Sequence, residues 1–197
     1  MTFTIVPGAT PISDLSELKI PITTQAELDA AEFDNIHRAE QFYFRRRKVN
    51  DATWLTPPFL QKIHRAMFDD VWEWAGKYRK HDVLPVGIDP YKIPLAMHEL
   101  SQDVAYWVGV PVHMTLLEMS ARIHHRLAWI HPFPNGNGRF SRFVSNLFLF
   151  SFRQPLPTWP GGLDRDSSHR RQYLKTLQEA DKGDFRPLVD YLKFLGA

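Results

Sequence analysis

Apolar residues recur along most of this chain at the three-to-four-residue spacing of an amphipathic helix. From residue 24 to about residue 48, Leu28, Ala31, Phe33, Ile36, Ala39 and Phe42 keep that rhythm. Thr56-Pro57-Pro58 resembles a helix cap followed by proline in the first turn. Phe59, Leu60, Ile63, Met67, Phe68 and Val71 continue from it to about residue 74, before Gly76 breaks the pattern. Further helices are predicted over 94–107 and 115–129, the second with Leu116, Met119, Ile123, Leu127 and Ile130 on one stripe. Residues 138–152 are apolar all round, which predicts a central, buried helix. Helices over 165–181 and 187–194 complete the series.

The breaks are as informative as the runs. Pro7, Gly8, Pro11 and Pro21 make residues 1–23 an extended arm. Residues 77–92 place Val83, Val86 and Ile88 between Pro85, Gly87 and Pro90, the pattern of a short hairpin or loop. Loops are predicted at 131–137 and 155–162. The fold class is therefore all-α with one short β excursion. At 197 residues the chain is long enough for one domain with a substantial core.

Composition narrows the chemistry. There is no cysteine, so disulfides and thiolate metal sites are excluded. The net charge of +2 creates no bulk attraction for nucleic acid. The run Arg45-Arg46-Arg47-Lys48 reads as a solvated helix end rather than a nucleic-acid patch, so a DNA-associated protein ranks low. Residues 1–11 lack a basic start and a long apolar run, and residues 143–152 are too short and polar to span a bilayer. A cytoplasmic protein with no membrane partner is expected.

The chemical signal is His131-Pro132-Phe133-Pro134-Asn135-Gly136-Asn137-Gly138-Arg139-Phe140-Ser141-Arg142. A helix delivers a histidine to a glycine-rich loop that opens into a second helix. Unpaired N–H groups at a helix start, together with the dipole, bind anions. Gly136 and Gly138 allow close approach by a ligand. Arg139 and Arg142 share a face of the first turn, and two guanidinium forks suit phosphate oxygens. His131 can take a proton from a hydroxyl. The pattern points to attack by an alcohol on a polyphosphate. His124 and His125 could be imagined as metal ligands with His131, but no carboxylate stands at a convincing spacing. The remaining histidines, His64 among them, read as structural or exposed.

This segment resembles the Fic signature, His-x-Phe-x-(Asp/Glu)-Gly-Asn-Gly-Arg-x-x-Arg, at every fixed position but one. Gly76-Lys77-Tyr78-Arg79 and the β-like stretch after it resemble the family's flap region. The similarity spans about residues 56–180 and looks closest to the subgroup called mobile mystery protein B, whose members are often encoded beside a helix-turn-helix protein. The resemblance implies a Fic-type helical bundle with a short β-hairpin flap, built as an arm and helix over 1–55 and a Fic domain over 56–197 in one structural unit.

It also implies a nucleotidyltransferase that moves AMP from ATP, with Mg²⁺, to a Ser, Thr or Tyr hydroxyl of a target protein. His131 would be the general base and Phe133 the loop anchor. Gly136, Asn137 and Gly138 would form the anion hole, and Arg139 and Arg142 would bind polyphosphate. The flap, about residues 80–92, would hold the target as an added strand. An antitoxin-like or helix-turn-helix partner is the implied type of regulator.

Two departures stand out. Asn135 replaces the family's acidic, metal-holding residue. The Doc branch can carry asparagine there and transfers a phosphate, although this chain keeps Gly138 where Doc's pattern differs. A Doc-like phosphotransferase and a catalytically impaired nucleotide-binding protein are therefore the alternatives. The family's inhibitory Ser/Thr-x-x-x-Glu-Gly/Asn helix has its nearest match in Ala30-Ala31-Glu32-Phe33-Asp34-Asn35. Glu32 or Asp34 is expected to restrain Arg142 weakly, unless a separate partner does so.

Overall fold

Helix α1 (Gln25–Tyr43) begins with a reciprocal cap, which is why it starts where it does. The Thr24 side chain accepts from the Glu27 N–H at 3.2 Å, and the Glu27 carboxylate accepts from the Thr24 N–H at 3.1 Å. The computed structural model describes residues 15–45, 51–82, 86–110, 113–161, 163 and 167–196. Residues 1–14 of the arm predicted over 1–23, and residues 46–48 of the basic run, lie outside them. Among the described residues, α1 is followed by α2 (Pro57–Phe68), a 3₁₀ turn (Pro90–Lys92), α3 (Ile93–Gly109), α4 (Leu116–Ile130), α5 (Asn137–Ser151), α6 (Ser168–Asp181) and α7 (Arg186–Leu195). The all-α class holds. Of the expected flap hairpin, residues 83–85 lie outside the description; beyond them Val86 takes part in a β-bridge and residues 90–92 form the 3₁₀ turn.

Two helix ends differ from the sequence pattern. Helix α1 stops at Tyr43 rather than near residue 48, with Phe44 as its cap. Helix α2 stops at Phe68 instead of running to residue 74. Val71, Trp72, Trp74 and Ala75 still enter the core, but from a turn. That turn makes an isolated antiparallel bridge, Leu18 to Trp72. Lys19 N–H donates to Val71 O and Glu73 N–H to Glu17 O, each at 2.9 Å. Backbone groups that a longer helix would have used internally are satisfied by the arm instead.

Helix α4 is the hub. It packs most extensively on α5 and also touches α3 and α7. The Ser120 hydroxyl donates to Ser145 O at 3.1 Å across the α4–α5 seam. Phe140, Val144 and Phe148 of α5 are fully buried, as its all-round apolar sequence predicts. They share one core with Leu60, Ile63, Met67 and Phe68 of α2, Met97 and Leu100 of α3, and Leu127 and Ile130 of α4. Helix α1 joins this body through Asn35. Its amide donates to Ala66 O at 2.9 Å and accepts from the Asp70 N–H at 3.0 Å, closing the end of α2. No helix among the described residues is long and apolar enough to cross a membrane.

The cap of α1 is exposed and touches little else, so its contribution can be isolated. Thr24→Ala should lower unfolding free energy by about 1 kcal/mol, measured by urea denaturation. Because the change removes little buried surface, the dependence of that free energy on urea should stay the same.

Candidate active site

The end of α4 is held by a buried guanidinium. Arg79 Nε donates to His131 O at 2.7 Å, Nη1 to His81 O at 3.1 Å, and Nη2 to Ile88 O and, at 3.4 Å, to Ile130 O. Its own N–H donates to Pro132 O at 2.9 Å. The last carbonyls of a helix lack intrahelical donors, and here one cation serves them. Burial pushes its pKa below the ordinary value, yet a guanidinium stays charged.

This clamp holds His131 as the cap of α4 in the left-handed region, φ 53° and ψ 59°. That conformation is costly for a residue with a Cβ and persists only where surroundings over-determine it. Pro132 then prevents the helix from continuing. His131 Nδ1 lies 3.2 Å from Ala128 O. A carbonyl can only accept, so the proton sits on Nδ1 and the lone pair on Nε2. Burial, and secondarily the nearby Arg79 charge, lowers the imidazole pKa to about 4 despite the opposing Ala128 bond. The ring is therefore a neutral base at physiological pH.

The loop closes on itself beyond His131. Phe133 N–H donates to Asn137 Oδ1 at 2.9 Å, and Asn137 Nδ2 donates to Phe133 O at 2.8 Å. Phe133 is fully buried, stacks on His64 with centroids 3.6 Å apart, and meets Phe140 edge-on at 5.0 Å. Gly136 caps α5 at φ 76°, and a Cβ there would come within 2.5 Å of the Phe68 ring, so only glycine fits. Gly138 is helical, and its added Cβ would meet Arg142 at an ordinary 3.6 Å. Crowding within the protein thus accounts for Gly136 but not for Gly138.

The two arginines engage different partners. Arg139 lies over the Phe68 ring at 4.9 Å and pairs with buried Glu32 at 2.5 Å. The other Glu32 oxygen accepts from Trp72 Nε1 at 2.7 Å. Arg142 lies over the Trp159 ring at 5.8 Å, and its charge acts on the nearby Tyr173 phenol. The expected Glu32 contact with Arg142 is therefore found at Arg139, because α1 crosses beside the start of α5. Asp34 is exposed on α1 and makes no ion pair among the described residues.

Other expectations are resolved residue by residue. The Asn135 side chain accepts from the Gly136 N–H at 2.6 Å. The Asn137 side chain is committed to Phe133, leaving only its backbone for an anion. His124 is buried against the Tyr173 hydroxyl at 2.7 Å, and His125 pairs with Asp181 at 2.8 Å, so neither converges on His131. No group of three or more His, Cys, Asp or Glu side chains among the described residues could hold a metal. Sequence reasoning missed the role of Arg79 and the seat that Trp159 and Tyr173 make for Arg142. The proximity of Arg79 to a flap-like segment was its only signal.

Comparison with known proteins adds an independent line. The Fic/DOC family model matches residues 54–149. Protein adenylyltransferase Fic of Culex quinquefasciatus is 27% identical over 186 residues, covering 90% of this chain and 36% of that protein. Protein adenylyltransferase Fic of Drosophila mojavensis is 32% identical over 143 residues, covering 71% and 27%. The chain thus spans about a third of these curated relatives or less. The N-terminal FIC domain of Bep8 from Bartonella sp. 1-1C shares the fold at TM-score 0.71 and 12% identity, covering 98% of this chain and 96% of that one.

Three imidazoles are buried and neutral: His64 and His124, each lowered to about 3 by burial, and His131, lowered to about 4. In the unfolded chain they would protonate near pH 6.5. The unfolded state then binds more protons as pH falls from 6.5 towards 4, so stability is lost over that window. Urea unfolding between pH 6.5 and 5 should show a stability slope approaching roughly three protons.

Proposed function

The chain belongs to the Fic/DOC family through residues 54–149, and on that premise we propose that it is a protein adenylyltransferase. It moves AMP from ATP to a serine, threonine or tyrosine hydroxyl of a target protein. The observation that carries this reading is a desolvated, neutral His131 beside the open N-terminus of α5. The curated relatives named above are protein adenylyltransferases, which supports it.

In the proposed step, the target hydroxyl oxygen attacks the α-phosphorus while its proton passes to His131 Nε2. The bond from the α-phosphorus to the α,β-bridging oxygen breaks, and pyrophosphate leaves with that electron pair. Backbone N–H groups at Gly136, Asn137 and Gly138 stabilise the charge on the phosphates. Arg139 and Arg142 neutralise the leaving group from two sides. We place the proposed reaction in the cytoplasm, where ATP is abundant.

Mg²⁺ fits as an ion carried by the nucleotide. Asn135 would offer one neutral oxygen, and phosphates and water would supply the rest. When bound, the ion would draw negative charge from the phosphates. Asn135 also supports a second reading, phosphate transfer with the nucleotide reversed, because a weaker metal hold loosens the constraint on its direction.

The flap would present the target. Gly87, at φ 92°, passes so close that an added Cβ would lie 2.9 Å from His131 Cβ. The Ile88 N–H donates to Ile130 O at 3.4 Å, which ties the same stretch to α4. A target segment added along the flap would bring its hydroxyl to the imidazole. The Glu32–Arg139 pair would restrain the site by occupying a guanidinium that the nucleotide needs; an antitoxin-like or helix-turn-helix partner could reinforce this.

Incubating the protein with host lysate, Mg²⁺ and ATP labelled at the α- or the γ-phosphate tests the assignment. Label from the α position alone, lost in His131→Ala, is expected; label from the γ position alone would establish phosphate transfer. The acid limb of kcat/KM should fall near pH 4, not 6.5, because activity is lost as the base protonates. Glu32→Gln keeps an oxygen for Trp72 but removes the charge facing Arg139. It should raise transfer several-fold, and a decrease would mean that Glu32 positions Arg139 productively.

A further inference from the structure

His64 is fully buried on α2 among Ile63, Met67 and Phe68, yet both of its ring nitrogens reach backbone groups of other segments. The Gly76 N–H donates to Nδ1 at 3.0 Å. An amide N–H cannot accept, so Nδ1 carries the lone pair and Nε2 carries the proton. Nε2–H therefore donates to the carbonyl of Asn135, 3.1 Å away. The stack on Phe133 fixes the ring plane at the same time.

A trans peptide points its C=O and its N–H in opposite directions. Holding the Asn135 carbonyl on a buried imidazole therefore turns the Gly136 N–H away from the core. That N–H is 2.6 Å from Asn135 Oδ1, an oxygen on a partly exposed side chain. An acceptor oxygen thus already occupies the direction in which this amide points. Glycine at φ 76° imposes little steric bar to rotating the peptide, so the conformation needs an external hold. Turned over, the same peptide would present a carbonyl lone pair to an anion.

From this geometry we propose that His64 is a positioning residue of the phosphate site: it holds the Asn135–Gly136 peptide so that the Gly136 N–H faces a phosphate oxygen of the nucleotide. The inference rests on the nucleotide-transfer reading above. Burial keeps the ring neutral, with its pKa lowered to about 3, so Nδ1 remains an acceptor at physiological pH.

Two substitutions separate the two nitrogens. Asparagine places an amide near Nδ1 and can still accept from Gly76, but it loses the donor to Asn135. Glutamine reaches the Nε2 position and keeps that donor. Both lose the stack on Phe133, so both should lower Tm. Inorganic pyrophosphate affinity, measured by calorimetry, should fall about tenfold in His64→Asn, the worth of a hydrogen bond to a charged acceptor, and stay near wild type in His64→Gln. The Gly136 N–H residual dipolar coupling in the ligand-free protein should change only in His64→Asn.

Equal losses of affinity in both variants, tracking Tm, would overturn the proposal, as would a Gly136 coupling unchanged in both. If neither variant folds, the wild type decides. Its Gly136 amide resonance must shift on titration with pyrophosphate, and a fixed resonance in a protein that binds pyrophosphate refutes the role. A wild type that binds no pyrophosphate would instead remove the nucleotide reading, while the ligand-free coupling would still report whether His64 holds the peptide.

Discussion

The site depends on how a helix end is neutralised without water. Helix α4 must stop inside the protein so that His131 and the start of α5 can lie side by side. Its terminal carbonyls carry partial negative charge and would be costly to bury alone. Arg79 meets that demand with one rigid fork, binding the carbonyls of Ile130 and His131 and, from the other side, those of His81 and Ile88. The same cation therefore ends the helix, stabilises the unusual backbone of His131 and ties residues 81 and 88 to it. A lysine could supply the charge but not donors in several fixed directions.

An asymmetry follows across the loop. The negative end of α4 is sealed by a protein cation, whereas Gly136 brings no side-chain cap to the positive end of α5. Protein groups close to that second end act on shape. Phe68 leaves room only for glycine at residue 136, Asn137 locks the loop to Phe133, and His64 holds the Asn135 carbonyl. Charge is brought in by long side chains anchored elsewhere: Arg139 against Glu32 and Phe68, Arg142 against Trp159 and Tyr173. A rigid backbone cradle with adjustable charges around it suits a reaction governed by placement of a polyphosphate.

Much of this was legible in the sequence because its signals are local. The Thr24–Glu27 cap, the Pro57 start and the buried α5 are read from neighbouring residues. So is the loop from His131 to Arg142. The misread end of α2 shows the limit of periodicity. Val71, Trp72 and Trp74 have helical spacing, but a turn bridged to Leu18 buries them equally well. Glu32 and Arg139 meet across 107 positions, and no spacing rule reports such a pair. His64 could be recognised only as a histidine on an apolar face; its partners at residues 76 and 135 are brought to it by packing.

The seat of Arg142 bears on modularity. Trp159 and Tyr173 lie beyond residue 149, where the family match ends, and Glu32 lies before residue 54, where it begins. The recognisable segment holds the loop from His131 to Arg142, but the ion-pair partner of Arg139 and the aromatic neighbours of Arg142 come from outside it. Grafting only the matched segment into another scaffold would transplant the signature and leave behind the supports that orient its charges. Divergence in those flanking helices would therefore re-aim both guanidinium groups while every residue of the signature stays the same.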